Sequence, residues 1–170
     1  MTARLVVVAI GANAGEPVRQ VRAAIARLAA WGGGSFRSSS LWRSAPIDCP
    51  TGSPGFVNAV ASLEAGIHES AEIWLDRLQA LEREFGRRPA AIRNAPRPLD
   101  LDLIQFGDER CGRARLTLPH PRAHEREFVL RPLAEILPAL LLPGQTRSVE
   151  SLLAAIGSAG GLVRIDGAGS

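Results

Sequence analysis

Residues 97–104 read RPLDLDLI. In a β-strand successive side chains alternate faces, so Leu99, Leu101 and Leu103 fall on one side and Asp100 and Asp102 on the other. Such alternation belongs to a strand with one apolar face against a core and one polar face, the habit of antiparallel sheets. The two carboxylates would stand about 6–7 Å apart along the strand. Like charges at that range repel unless water solvates them or a shared cation neutralises them. The strand alone allows either arrangement.

Outward from this stretch, elements of both kinds follow without strict alternation. Leu5–Ile10 is a continuous apolar run, a strand ending at the turn GANAG. Pro17 opens a helix with Val18, Val21, Ile25 and Leu28 as its stripe, closed by Gly32, Gly33 and Gly34. A second strand is expected over Phe36–Arg43 and a third over Phe56–Leu63. Ser70 can cap a helix carrying Ile73, Trp74, Leu78, Leu81 and Phe85, with Gly86 as its stop. After the aspartate strand, a short strand near Arg115–Leu118, helices near Leu130–Leu137 and Val149–Ile156, and a last strand near Leu162–Ile165 are predicted. The pattern is α+β with a largely antiparallel sheet, in one domain over residues 1–170. The GxNxG turn lacks the third glycine and later acid of a dinucleotide fingerprint.

Composition narrows the chemistry. The chain has 170 residues, 46% of them hydrophobic, enough for one full core. No apolar run is long enough to span a bilayer, and the N-terminal apolar run is shorter than a secretory core. Cys49 and Cys111 form neither a metal spacing nor a disulfide framework, which suits a reducing cytoplasm. All 20 basic residues are arginine, and tyrosine is absent. A Walker lysine, a Schiff base, a lysine base and a tyrosine acid are therefore excluded. Phosphate, if bound, must be met by arginine, backbone N–H groups or metal. The net charge of +3 is too small to argue for nucleic acid.

Two irregular segments flank the informative strands. APIDCPTGSPG (45–55) is rich in Pro, Gly and Ser, and the stretch before the aspartates carries Arg87, Arg88, Arg93 and Arg97. Both are expected to be loops that close over ligands, residues 45–55 and 87–96. An arginine loop running into paired carboxylates has the parts a magnesium–triphosphate complex needs: hard oxygens for the metal and guanidinium forks for the remaining charge. A solvated basic face is the alternative. His120, in LTLPHPRAHEREF, has Arg115, Thr117 and Arg126 for company and can join the same anion site. Zinc spacing is lacking.

NAPRPLDLDLIQFG resembles the signature of the hydroxymethyldihydropterin pyrophosphokinase family, which moves pyrophosphate from ATP to a pterin alcohol in folate synthesis. AIGAN, SSSLWRSAPI, GFVNAV, LQALEREFGR and LTLPHPRAHEREFVLRPLAEI resemble the family in the same order. The resemblance implies an α+β sandwich on the ferredoxin-like plan, with ATP as co-substrate and two Mg2+ ions on Asp100 and Asp102. It implies that Arg87 and Arg97 meet the phosphates, and that Gln79, Glu82, Arg115, Thr117, His120 and Arg126 serve the nucleotide, with Glu82 orienting a loop arginine. Ser44, Ile47 and Asn58 would contact the pterin, with Phe56 and Phe128 stacking on its two faces. Departures from the family pattern are Ser44 for a common threonine, Asn94 where some members carry tryptophan, and Pro89 where some are basic. The implied partners are small molecules, with no nucleic acid and no membrane, and a monomer is expected.

An RNA-binding sheet would also use the arginine loop. Aromatic residues make up only 5% of the chain, and the aspartates would repel a phosphate backbone. A non-catalytic nucleotide sensor is not separated by sequence, but it gives no reason for a pterin pocket.

Overall fold

The computed structural model describes residues 3–89, 92–158 and 160–165. Strand β1 (Arg4–Ala12) leads into helix α1 (Pro17–Gly32), then β2 (Arg37–Ser38), β3 (Leu41–Ser44) and β4 (Phe56–Ala65). Helix α2 (Ala71–Glu84) and strand β5 (Asp100–Phe106) follow. The chain then makes a small ladder of β6 (Cys111–Gly112) and β7 (Thr117–Leu118), helices α3 (Glu127–Ile136) and α4 (Val149–Ile156), and β8 (Val163–Ile165).

The main sheet runs β5-β1-β4-β3-β8, with β2 also on β4, and every pairing among the described residues is antiparallel. From β1 to β5 this is the βαββαβ order of the ferredoxin-like plan, as the sequence led us to expect. The expected strand over 36–43 is instead two short pieces. Ser39 is turned inward: its Oγ accepts from Val60 N at 2.9 Å, and its N donates to Val60 O at 2.9 Å. The strand expected over 115–118 shrinks to Thr117–Leu118 because Arg113 and Leu116 exchange backbone hydrogen bonds in a tight turn. Helix α3 starts three residues earlier than its leucines suggest.

The continuous apolar run of β1 reflects burial on both faces. Val6, Val8 and Ile10 pack with Val21, Ala24 and Leu28 of α1 and Trp74, Leu78 and Leu81 of α2. Val7 belongs to a second core with Val60, Ile104, and Val129, Leu130 and Leu133 of α3. Helix α4 extends that core with Val149 and Leu152. The helices α3 and α4 thus cover part of the second sheet face, and the cavity described below opens beside them.

Candidate active site

Sheet register assembles the site. Across four strands, Asp100, Gly11, Asn58 and Trp42 stand in one transverse row. Asp102 lies beside Ala9 in the next row, and Ser44 pairs with Phe56. Ala9, Gly11, Ser44, Phe56, Asn58, Asp100 and Asp102 all line one cavity of about 960 Å³. Gly11 keeps its floor open: a Cβ there would stand 3.7 Å from both Asn58 Oδ1 and Phe56 Cδ1.

One side of the cavity is charged. The carboxylate of Asp100 is held at both oxygens, by Arg87 Nη1 at 2.6 Å and Arg97 Nη1 at 2.7 Å. Behind it, buried Glu82 pairs with Arg87 and accepts from Leu101 N at 2.7 Å. Gly86, with φ of 87°, makes this possible: its left-handed turn ends α2 and lets Arg87 N donate back to Glu82 O at 3.0 Å. Burial above all pushes the Glu82 carboxyl up, against the Leu101 N–H and the Arg87 charge.

Asp102 is in a different situation. Among the described residues it accepts no hydrogen bond. Burial first, then the charges of Asp100 and Glu82, push its carboxyl up to about 7, against the opposing pull of Arg126 and Arg87. His120 is brought to the cavity by a bulge in β5. Between Val7 and Val8 the register slips by one residue, and the carbonyl of Ile104 accepts from His120 N at 2.9 Å. Burial and the neighbouring Arg126 hold the His120 imidazole below its ordinary range, so it is neutral at pH 7. Its Nδ1 accepts from Arg122 N at 3.3 Å. Arg126 lies over the Phe128 ring, 5.4 Å from Cζ to the centroid.

The opposite side is apolar with few polar groups. Asn58 Nδ2 donates to Ser44 Oγ at 2.8 Å and to Trp42 O at 3.3 Å, which fixes the amide and turns it toward the cavity. Ile47, Phe56 and Phe128 also line the cavity.

Of the residues singled out in the sequence, Ser44, Ile47, Phe56, Asn58, Arg97, Asp100, Asp102, His120, Arg126 and Phe128 line this one cavity. Glu82 and Arg87 stand directly behind Asp100. Gln79, Arg115 and Thr117 do not line it; Arg115 is exposed and paired with Asp76 at 2.8 Å. The loop expected over 87–96 includes Ala90 and Ala91, which lie outside the described residues.

Several contributors escaped the sequence reading. Asn13, fully buried, accepts from Arg97 N at 2.8 Å through Oδ1, and its own N donates to Arg97 O at 3.0 Å. Gln20 Nε2 donates to Ala14 O at 2.9 Å and also to Pro98 O. These two amides tie the GANAG turn to the start of β5. Arg122 adds a further guanidinium, two residues after His120. Ile156, Gly157, Gly161 and Leu162 form part of the wall, because β8 pairs with β3 and brings residue 162 toward Ser44.

Among the described residues no group of three or more His, Cys, Asp or Glu is placed to hold a metal. Two carboxylates with substrate oxygens and water suffice for magnesium, however, and Asp102, which accepts no hydrogen bond among the described residues, leaves its oxygens to a hard cation beside Asp100.

Residues 7–138 match the family of 7,8-dihydro-6-hydroxymethylpterin-pyrophosphokinase (HPPK). The chain is 39% identical over 137 residues to 2-amino-4-hydroxy-6-hydroxymethyldihydropteridine pyrophosphokinase of Haemophilus influenzae, covering 80% of this chain and 83% of that one. It is 40% identical over 158 residues to the protein of the same name from Pseudomonas aeruginosa, covering 88% and 90%. In fold it is similar to a crystal structure of Plasmodium falciparum HPPK-DHPS, with a TM-score of 0.66 and 10% identity. That match covers 91% of this chain but only 41% of the longer one, and speaks for the fold alone. By the span of that family match and by these relatives, the chain belongs to the 7,8-dihydro-6-hydroxymethylpterin-pyrophosphokinase family.

Proposed function

We propose that the protein transfers a pyrophosphoryl group from ATP to the hydroxymethyl oxygen of 6-hydroxymethyl-7,8-dihydropterin and releases AMP. The observation that carries this reading is the transverse row Asp100–Gly11–Asn58. Two strand spacings put about 10 Å between the anchored amide and the carboxylate. A flat bicycle lying over Gly11, with its amide edge on Asn58, would direct its hydroxymethyl arm toward the aspartates.

Each side has matching chemistry. Asn58 supplies one acceptor and its amide dipole for the pterin edge, while Phe56 and Phe128 supply ring faces for stacking. Arg97, Arg122, Arg126 and neutral His120 face the polyphosphate. Arg87, held by Glu82, sets Asp100. Gln79, Arg115 and Thr117 would reach the nucleotide from outside the present cavity wall.

Asp100 and Asp102 would hold two magnesium ions. Bound there, magnesium neutralises the charge that develops on the phosphates. The pterin oxygen attacks the β-phosphorus in line, the new O–P bond forms, the bond from that phosphorus to the α–β bridging oxygen breaks, and AMP leaves with that oxygen. The hydroxyl proton passes to water. Positioning and charge stabilisation carry the catalysis.

We take the protein to act as a monomer. Both cysteines are free, and no described helix is long and apolar enough to cross a membrane. We place the protein in the cytoplasm on its cysteine usage. The test is an assay with ATP, magnesium and the pterin alcohol. AMP release that requires the pterin supports the reading; release of ADP, or AMP formed without pterin, overturns it.

A further inference from the structure

The two loops flanking the cavity are joined through a single side chain. Asn94 Nδ2 donates to the backbone carbonyl of Asp48 at 2.7 Å. Asn94 Oδ1 accepts from Arg97 Nη2 at 3.1 Å, and Nη1 of the same guanidinium donates to Asp100 Oδ2 at 2.7 Å. An unbroken chain of hydrogen bonds therefore runs from the 45–55 loop through Asn94 and Arg97 to the aspartate strand.

The backbone at both ends is shaped for this contact. Asp48 and Asn94 have φ of 53° and 57° and are the described non-glycine residues with positive φ. Asn and Asp tolerate that left-handed conformation better than other side chains with a Cβ. Both residues line the cavity. The Asp48 carboxylate also stands 3.8 Å from Arg122 Nη1, so the latched loop reaches the His120 segment too.

We propose that Asn94 is a positioning residue that latches the 45–55 loop to Arg97, setting the pterin side and the phosphate side of the cavity together. Its amide is suited to this role because it has a donor for a carbonyl and an acceptor for a guanidinium. The effect on turnover rests on the pyrophosphokinase reading; the latch itself does not.

Two variants isolate it. Asn94→Asp keeps the left-handed preference and the acceptor for Arg97 but loses the donor to Asp48. Asn94→Gly keeps the backbone freedom and loses both contacts. Hydrogen exchange is measured on the ligand-free parent and both variants, reading amides of residues 48–54, beside thermal unfolding and AMP release. Loss of one hydrogen bond predicts roughly 3- to 10-fold faster exchange at 48–54 in both variants. The unfolding temperature should stay within about 1 °C of the parent, as for a surface change. The kcat/KM for pterin should fall by a similar factor in Asn94→Asp and further in Asn94→Gly, where Arg97 is loosened as well. Unchanged exchange at 48–54 in both variants overturns the latch whatever the activity. So does faster exchange spread over the whole chain with a lowered unfolding temperature, which would make Asn94 a general stabiliser. A parent that releases no AMP while 48–54 still responds would refute the pyrophosphokinase reading and leave the latch standing.

Discussion

Replacing Asp102 with asparagine should stabilise the ligand-free, metal-free protein while removing its activity. Unfolded, this aspartate ionises near its ordinary 3.8; folded, it holds its proton up to about 7. Between those values the folded state carries one proton more than the unfolded state, so parent stability falls as pH rises through the window. At about 1.36 kcal/mol for each of roughly three pH units, the cost by pH 8 is bounded at about 4 kcal/mol. Water entry and relaxation around the charge reduce it, and a gain of about 1–3 kcal/mol is expected for Asp102→Asn. For a chain of this length that is about 2–10 °C in unfolding temperature. The gain should vanish near pH 4, where a protonated aspartate and an asparagine are nearly the same shape and charge. Thermal unfolding of both proteins in EDTA from pH 4 to 8 measures it directly. At pH 8, AMP release at saturating ATP and magnesium should fall about 100-fold or more, as when a main electrostatic stabiliser is lost. A difference in unfolding temperature that does not change with pH would refute the electrostatic account of Asp102. Near-parental turnover would refute its place in the metal site.

Asn58→Ala should weaken pterin binding by roughly 1–3 kcal/mol, through unpaired partners on the bicycle and on Ser44, with nucleotide affinity unchanged; calorimetry with each ligand alone reads this. Gly11→Ala meets only ordinary contacts at 3.7 Å and should unfold at the parental temperature. Its methyl nevertheless enters the cavity floor and should raise the pterin dissociation constant roughly 10-fold or more. Glu82→Gln keeps an acceptor for Leu101 N but removes the charge that holds Arg87. Turnover should drop roughly 10- to 100-fold through misplacement, with little change in pterin affinity, as steady-state kinetics beside equilibrium binding would show.

Alternation in RPLDLDLI, the Pro17 and Ser70 helix starts and the Gly86 stop are local signals, and each appears in the structure because backbone conformation at those points is set by immediate neighbours. The aspartate pair and the arginine loop were legible for the same reason: close spacing in sequence forces closeness in space. The order of the strands was not. Asp100, Gly11 and Asn58 are far apart in the chain, and only the antiparallel pairings of β1 with β4 and β5 put them in one row. The β5 bulge that carries His120 to the cavity, the buried Asn13 behind Arg97, and the β8 pairing that brings Leu162 to the wall are likewise long-range events. The difference between Asp100 and Asp102 was equally hidden. Two residues with the same side chain, two positions apart, differ because Arg87 and Arg97 hydrogen-bond only the first, while the second is left against desolvation and the charges of Asp100 and Glu82. Sequence decided which groups are present; tertiary packing decided which of them are paired with arginine and which are not, because desolvation and charge depend on the whole surrounding volume.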